Sequence, residues 1–185
     1  MWIETTRGQY ERRGLRYASD LTDVEWGLVE PLLPPARRRG RPRRWRDREI
    51  VEAILYLLQT GCQWRMLPKE FPPFTTVQYH FYRMCDNGLL VVINAVLVGW
   101  VRVSEGRTPA PTAGIIDSQS VKTTEAGESR GYDAGKKIKG RKRHIMTDTL
   151  GNMLEGVVHG ADIQDLDGAP GLIERSTRIP RSPDY

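Results

Sequence analysis

Asp117 is the residue of this chain whose type and setting best fit chemistry. It closes a short apolar run, Ala113-Gly-Ile-Ile-Asp117, and a stretch dense in lysine and arginine begins at Lys136. Aspartate is disfavoured inside strands, so a strand that carries one usually has a use for it. In a basic neighbourhood the use that fits is holding a divalent metal against a phosphate. An ionised carboxylate is a hard oxygen ligand, and Mg²⁺ sites typically take roughly one or two carboxylates together with phosphate oxygens. An aspartate at a strand end is also a common turn residue, so Asp117 by itself leaves both readings open.

The charge distribution narrows the partner. The 185 residues carry 28 Lys+Arg against 23 Asp+Glu, a formal charge of +5. The excess is concentrated in two places. Eight of the twelve residues from Arg37 to Arg48 are arginine, and six of the nine from Lys136 to His144 are lysine or arginine. Concentrated basic charge is the electrostatic footprint of nucleic-acid binding. The arginine segment has no apolar face, which argues against a membrane-surface helix. No apolar run reaches the roughly eighteen residues of a membrane span, and the polar start lacks the pattern of a secretory signal, so a cytoplasmic protein is expected. Cys62 and Cys85 lie far apart, without the close-set pairs of a zinc site, and are expected to be buried free thiols. His80, His144 and His159 show no ligand spacing and are expected to be structural.

The elements that must position these residues can be read from breakers and periodicity. Residues 1–19 are polar and expected to be loosely held. Thr22-Asp-Val-Glu25 forms a capping box ahead of a helix with Trp26, Val29 and Leu33 on one stripe, ended by Pro34-Pro35. Ala36 to Arg46 has no periodicity and reads as a flexible basic loop. A second helix is predicted from Arg48 to Thr60, capped by Asp47, with Ile50, Ile54, Leu57 and Leu58 at helical spacing and Gly61 beyond its end. A third, capped by Thr75, runs to Asp86 with Val77, Phe81 and Met84 inward. A fourth covers Leu89 to Val103. Trp26, Trp45, Trp64 and the Tyr79-Phe81-Tyr82 cluster read as packing residues. Residues 20–104 thus form a helical domain, and 105–111, with Gly106, Pro109 and Pro111, form a linker. Residues 112–174 then change pattern: strands are predicted at 113–118, 140–149 and 151–160, with a polar stretch over 123–135 and a short helix that Asp165 can cap. Residues 175–185 read as disordered tail.

Several segments together resemble the bacterial insertion-sequence transposases of the DDE class, in the group named after insertion sequence five. They are Leu21-Thr-Asp-Val-Glu-Trp26, Gly61-Cys-Gln-Trp-Arg-Met-Leu-Pro68, Phe71-Pro-Pro-Phe74, Ile116-Asp-Ser-Gln-Ser-Val-Lys122, Arg130-Gly-Tyr-Asp-Ala-Gly-Lys-Lys137, Gly140-Arg-Lys-Arg-His144 and Ala161-Asp-Ile-Gln-Asp165. The likeness runs from about Gly8 to Glu174. It implies an N-terminal helical domain that contacts the element's ends, followed by a catalytic domain of ribonuclease-H-like fold. Asp117 becomes the first carboxylate of the triad that holds Mg²⁺ or Mn²⁺. In such enzymes two metal ions about 4 Å apart activate the attacking oxygen and steady the leaving one.

The chain also departs from that pattern. The family's second aspartate lies on a later strand in an Asp-Gly-Tyr-like context, and its glutamate on a helix further on; neither context occurs here. Asp162 and Asp165 belong to the Ala-Asp-x-x-Asp segment, which is not the second triad position. From Arg175 the sequence stops resembling the group, as a truncated copy or a first-frame product of a frameshifted pair would. The expectation is therefore an α+β chain, a helical DNA-binding domain followed by an incomplete ribonuclease-H-like domain. It should bind double-stranded DNA at the ends of an insertion sequence, with a second-frame polypeptide or further copies as partners, and be inactive by itself. The competing reading is a non-catalytic DNA-binding protein or repressor of transposition. Expected DNA contacts are Arg37, Arg38, Arg39, Arg41, Arg43 and Arg44 of the loop. Gln78 and Arg83 are expected on the third helix, and Lys136, Lys137, Lys139, Arg141, Lys142 and Arg143 at the sheet.

Overall fold

Breakers and caps delimit the helices of the first half much as the sequence implies. The computed structural model describes residues 12–35, 44–123 and 130–178. By internal contacts the chain falls into two units, Met1–Leu90 and Val91–Tyr185. In the first unit α1 (Asp23–Val29) opens on the capping box: the Glu25 N–H donates to Thr22 Oγ1 at 3.2 Å, and the Thr22 N–H to Glu25 Oε2 at 2.8 Å. These bonds satisfy two otherwise orphaned donors of the first turn. Helix α2 (Asp47–Thr60) ends at Gly61, whose φ of 64° suits a residue without Cβ. Arg46, not Asp47, occupies its N-cap; Glu49 reaches back to the Arg46 N–H at 3.0 Å, and Asp47 is the first helical residue. Helix α3 (Phe74–Asp86) begins at Pro73 and not at Thr75, because the Pro73 carbonyl already accepts from the Thr76 and Val77 N–H groups.

The core of this unit is Ile50, Ala53 and Ile54 of α2 against Phe71 and Val77, with Trp45, Trp64, Leu67, Phe81 and Met84 packed around them. Each buried aliphatic contributes roughly 1.5–3 kcal/mol. The segment before α1, expected to be loose, is held wherever it is described. Tyr17 stacks on Phe71 with centroids 5.2 Å apart, the Arg16 guanidinium lies 4.2 Å over the same ring, and Asp20 is buried and accepts the Tyr17 N–H. One aromatic in a polar run is enough to tie it to the core.

The second unit contains α4 (Leu89–Ser104) from Val91 onward, so this helix is grouped with the sheet, not with the helices before it. Arg102 explains why: its guanidinium meets Asp148 at 2.7 Å and the Thr108 carbonyl at 2.8 Å. Strand β1 (Ile115–Lys122) extends past the expected end at Ser118. It pairs antiparallel with β3 (Ile138–Thr147) from Ile115 opposite Thr147 to Lys122 opposite Gly140. A short β2 (Gly131–Asp133) and β4 (Met153–Gly160) also pair with β3, antiparallel, which makes β3 central and leaves β1 at an edge of the described sheet. The β3–β4 turn is tied by the Asp148 carboxylate, which accepts the N–H groups of Leu150 and Asn152.

Helix α5 (Asp165–Arg178) packs on β3 and β4, burying Leu172. It continues beyond Glu174, so the tail expected from Arg175 is helical through Arg178; residues 179–185 lie outside the described residues. The architecture is α+β. Among the described residues no single helix is long and apolar enough to cross a membrane.

Candidate functional site

Side chains alternate across a strand, so the basic run of β3 is split between two faces. Lys139, Arg141 and Arg143 share one face with Asp117, Gln119 and Val121 of β1, since Gln119 stands opposite Arg143 and Val121 opposite Arg141. That face is open: Asp117, Gln119, Lys139 and Arg143 are exposed and Arg141 is half-buried. Arg143 bonds Gln119 Oε1 at 3.0 Å, and the Asp117 carboxylate accepts the Ser118 N–H at 2.8 Å. Lys137 is exposed in the β2–β3 turn with a φ of 55°.

Lys142, expected as a DNA contact, instead points the other way and does not share that open face. Its side chain is only 5% exposed, with Nζ 2.8 Å from Asp165, 3.3 Å from Asp133 and 2.8 Å from the Ile163 carbonyl. Burial would depress its pKa, but the bonds to Asp165 and then Asp133 outweigh that and raise it. Asp133 is held well below the usual carboxylate range by the Ser120 hydroxyl and the Lys136 N–H, against the opposing effect of burial, with Lys142 adding to the shift. Lys142, and secondarily Ser118, likewise lower Asp165. Lys136 is exposed, but its ammonium is bound to the Ser118 carbonyl at 3.1 Å, on this covered side of β1. Next to the cluster His144 is 1% exposed, with Nδ1 2.8 Å from His159 Nε2; a Cβ on Gly168 of α5 would clash with the His144 ring at Cε1. Gly168 is therefore required for the helix to approach the sheet.

The Ala161-Asp-Ile-Gln-Asp165 segment is thereby explained as structure. It folds around Lys142 through the Ile163 carbonyl and the Asp165 carboxylate, the latter opening α5 instead of serving only as its cap. For a metal, Asp117 offers one hard oxygen ligand. Among the described residues no group of three or more His, Cys, Asp or Glu stands together as a metal site. A two-metal centre needs several bridging and flanking carboxylates, so the described donor set does not fit a metal pair by itself.

In the first unit Arg37, Arg38, Arg39, Arg41 and Arg43 lie outside the described residues. Arg44 is exposed, its guanidinium 5.6 Å from the Trp45 ring centroid. Gln78 and Arg83 are half-buried, Arg83 lining a shallow cleft with Leu33, Pro35, His80 and Met84. The exposed stripe of α3 is instead Thr75, Tyr79, Tyr82 and Asp86, a 4-3-4 spacing already present in the sequence. Trp45, Trp64 and Phe81 do pack on the core, whereas Tyr79 and Tyr82 do not. Cys62 is half-buried and Cys85 exposed, so neither is the buried thiol expected.

Comparison with known proteins finds one family match in each half of the chain. Residues 21–94 match a domain family described as IS4/5-family transposase, and residues 108–184 match the transposase DDE domain, a ribonuclease-H-like fold. The second match runs through the segment after Arg175, where the likeness was expected to stop. An uncharacterized protein of Sinorhizobium fredii, y4sN, is 29% identical over 77 residues, covering 42% of this chain and 62% of that protein. The uncharacterized 16.2 kDa protein of insertion element IS402 from Burkholderia cepacia is 31% identical over 118 residues, 60% of this chain and 78% of its own length. No solved structure matches significantly. With both halves matched and an insertion-element protein aligned over most of its length, the chain belongs to the insertion-sequence transposases of the DDE class.

Proposed function

We propose that this chain binds the ends of an insertion sequence for transposition, and that it does not cut or join DNA by itself. The first unit and the Asp117 face of the sheet both meet phosphates. Metal-dependent phosphodiester hydrolysis and strand transfer then require carboxylates from outside these residues, and the product of a second frame or another protein chain in an oligomer is the proposed source. The observation that carries the DNA reading is the segregation at β3: Lys139, Arg141 and Arg143 lie on the face of Asp117, while Lys142 is withdrawn into ion pairs. Cations placed around one carboxylate on an open face suit a phosphate backbone, where they position DNA without reading its sequence. When bound, a divalent metal would supply Lewis acidity at the scissile phosphate, with Asp117 as the ligand this chain contributes. The single carboxylate also favours the second reading, a DNA-binding protein that represses transposition without catalysis.

Salt titration of duplex binding tests the first part. With about six phosphate contacts, log affinity should fall against log salt with a slope of roughly −5, and changing Lys139 and Arg143 together to Gln should lower that slope by about two. An unchanged slope in the double variant removes the sheet face from the interface. A cleavage and strand-transfer assay with Mg²⁺ or Mn²⁺, on DNA carrying the element's ends, tests the second part. No product is expected, and metal-dependent nicking that disappears in Asp117→Ala would show a working enzyme.

A further inference from the structure

We propose that the outward face of α3 is the base-reading edge of the first unit, with Thr75, Tyr79 and Tyr82 entering the major groove of duplex DNA. This rests on the DNA-binding reading and goes beyond it in saying which side chains carry sequence preference. Val77, Phe81 and Met84 turn to the core, which leaves Thr75, Tyr79, Tyr82 and Asp86 on one solvent stripe. Tyr79 is 60% exposed and Tyr82 51%. A solvent stripe on a helix ordinarily carries charged side chains, and two tyrosines there leave more than half of their surface in water. Both rings are also propped. Tyr82 lies 6.2 Å from Trp64 and 5.6 Å from Phe81, and Tyr79 stands edge-on to His80 at 5.3 Å. Rigid, amphipathic aromatics lose little entropy on docking, which is why binding surfaces favour them.

Charge selects the occupant. The stripe has no carboxylate until Asp86 at its far end, Arg83 flanks it, and the same unit carries the arginine-rich segment 37–48. A polyanion fits this surface better than a protein face does. A helix of 13 residues is about 20 Å long and enters a groove about 12 Å wide. The N-terminal residues of a groove-bound helix meet the base edges, which here are Thr75 and Tyr79. Their hydroxyls can bond donors or acceptors, and the threonine methyl and tyrosine ring can pack on a thymine methyl. Gln78 and Arg83, half-buried on the flanks, are left for the backbone.

The test is selection of duplexes from a randomised pool by the full chain, followed by binding of the selected and a shuffled sequence to Tyr79→Ala and Tyr82→Ala. The parent is expected to enrich a consensus. Each variant should lose about tenfold of the preference for it, with the salt slope unchanged and the helical circular dichroism retained. A parent that enriches a consensus while both variants keep its preference overturns the role of α3 and leaves DNA binding standing. A parent that binds no duplex overturns both. Loss of self-association in the variants, with base preference intact, would make the stripe a protein contact and overturn the proposal.

Discussion

Burying a lysine ammonium costs several kcal/mol unless carboxylates and carbonyls replace its water, and Lys142 has its partners in Asp165, Asp133 and the Ile163 carbonyl. Removing the cation leaves a carboxylate pair facing itself, so Lys142→Met is expected to destabilise the second unit by about 3 kcal/mol without changing the salt slope of DNA binding. Lys139→Gln should do the reverse: a stability change within about 0.5 kcal/mol and a slope smaller by about one. Urea unfolding and salt titration of the two variants separate these roles, and matching behaviour would undo the assignment by face. His144 adds a pH dependence. Burial, then His159, lowers its pKa below the ordinary 6.5, with Lys142 acting in the same direction and Asp165 opposing. The unfolded chain therefore takes up the proton first, so stability is complete above about pH 6.5 and declines as pH falls below it. Melting temperatures between pH 8 and 5 should show the decline, and His144→Gln should flatten it. The basic run and Asp117 were legible as types and spacing. The side each lysine takes was not, because that depends on a register with β1 and on partners brought together by the fold, from Asp133 to Asp165.

At the scale of elements, local signals placed the helices well, whereas the bonds that group them are long-range. Thr22-x-x-Glu25 and Gly61 bound real helices because a cap is chemistry within one turn. Strand β1 ran past Ser118 because the polar residues beyond it find partners on the covered face, Ser120 bonding Asp133 at 2.6 Å; periodicity of hydrophobicity cannot see such a bond. Helix α4 was read with the first domain for the same reason: the residue that ties it to the sheet, Arg102, has its partner 46 positions later. Asp148 is fully buried. Burial would raise its carboxyl, but Arg102, Asn152 and the turn N–H groups outweigh this and hold it down to about 2. Arg102→Met strands that charge and should cost about 3–5 kcal/mol, read as a lower urea midpoint. Adding Asp148→Asn should recover part of the loss. A double variant no better than the single one would mean that Arg102 acts through packing alone.

For the molecule as a whole, the second unit leaves apolar surface uncovered in a particular place. Strand β1 is at an edge of the described sheet, and Ile115 and Val158, 59% and 58% exposed, stand on the same open face as Asp117 and Arg143. An exposed edge with apolar side chains is a template for association, and the surrounding cations oppose it through their mutual repulsion. The chain spans 62% of one curated relative and 78% of another; we propose a cover over this face, a second polypeptide or another copy, on the exposed apolar edge alone. We expect the purified chain to associate with rising concentration, more strongly at high salt, where repulsion among Lys139, Arg141 and Arg143 is screened within about 3 Å at 1 M. Duplex DNA at low salt should compete with that association if both use the Asp117 face. Changing Ile115 and Val158 together to Lys should keep the chain monomeric and steepen the salt slope of DNA binding by up to about two. Sedimentation velocity at several concentrations, with and without DNA, decides the matter. A parent that stays monomeric at every concentration and salt would mean that this face needs no cover, and the case for a second polypeptide over β1 would go with it.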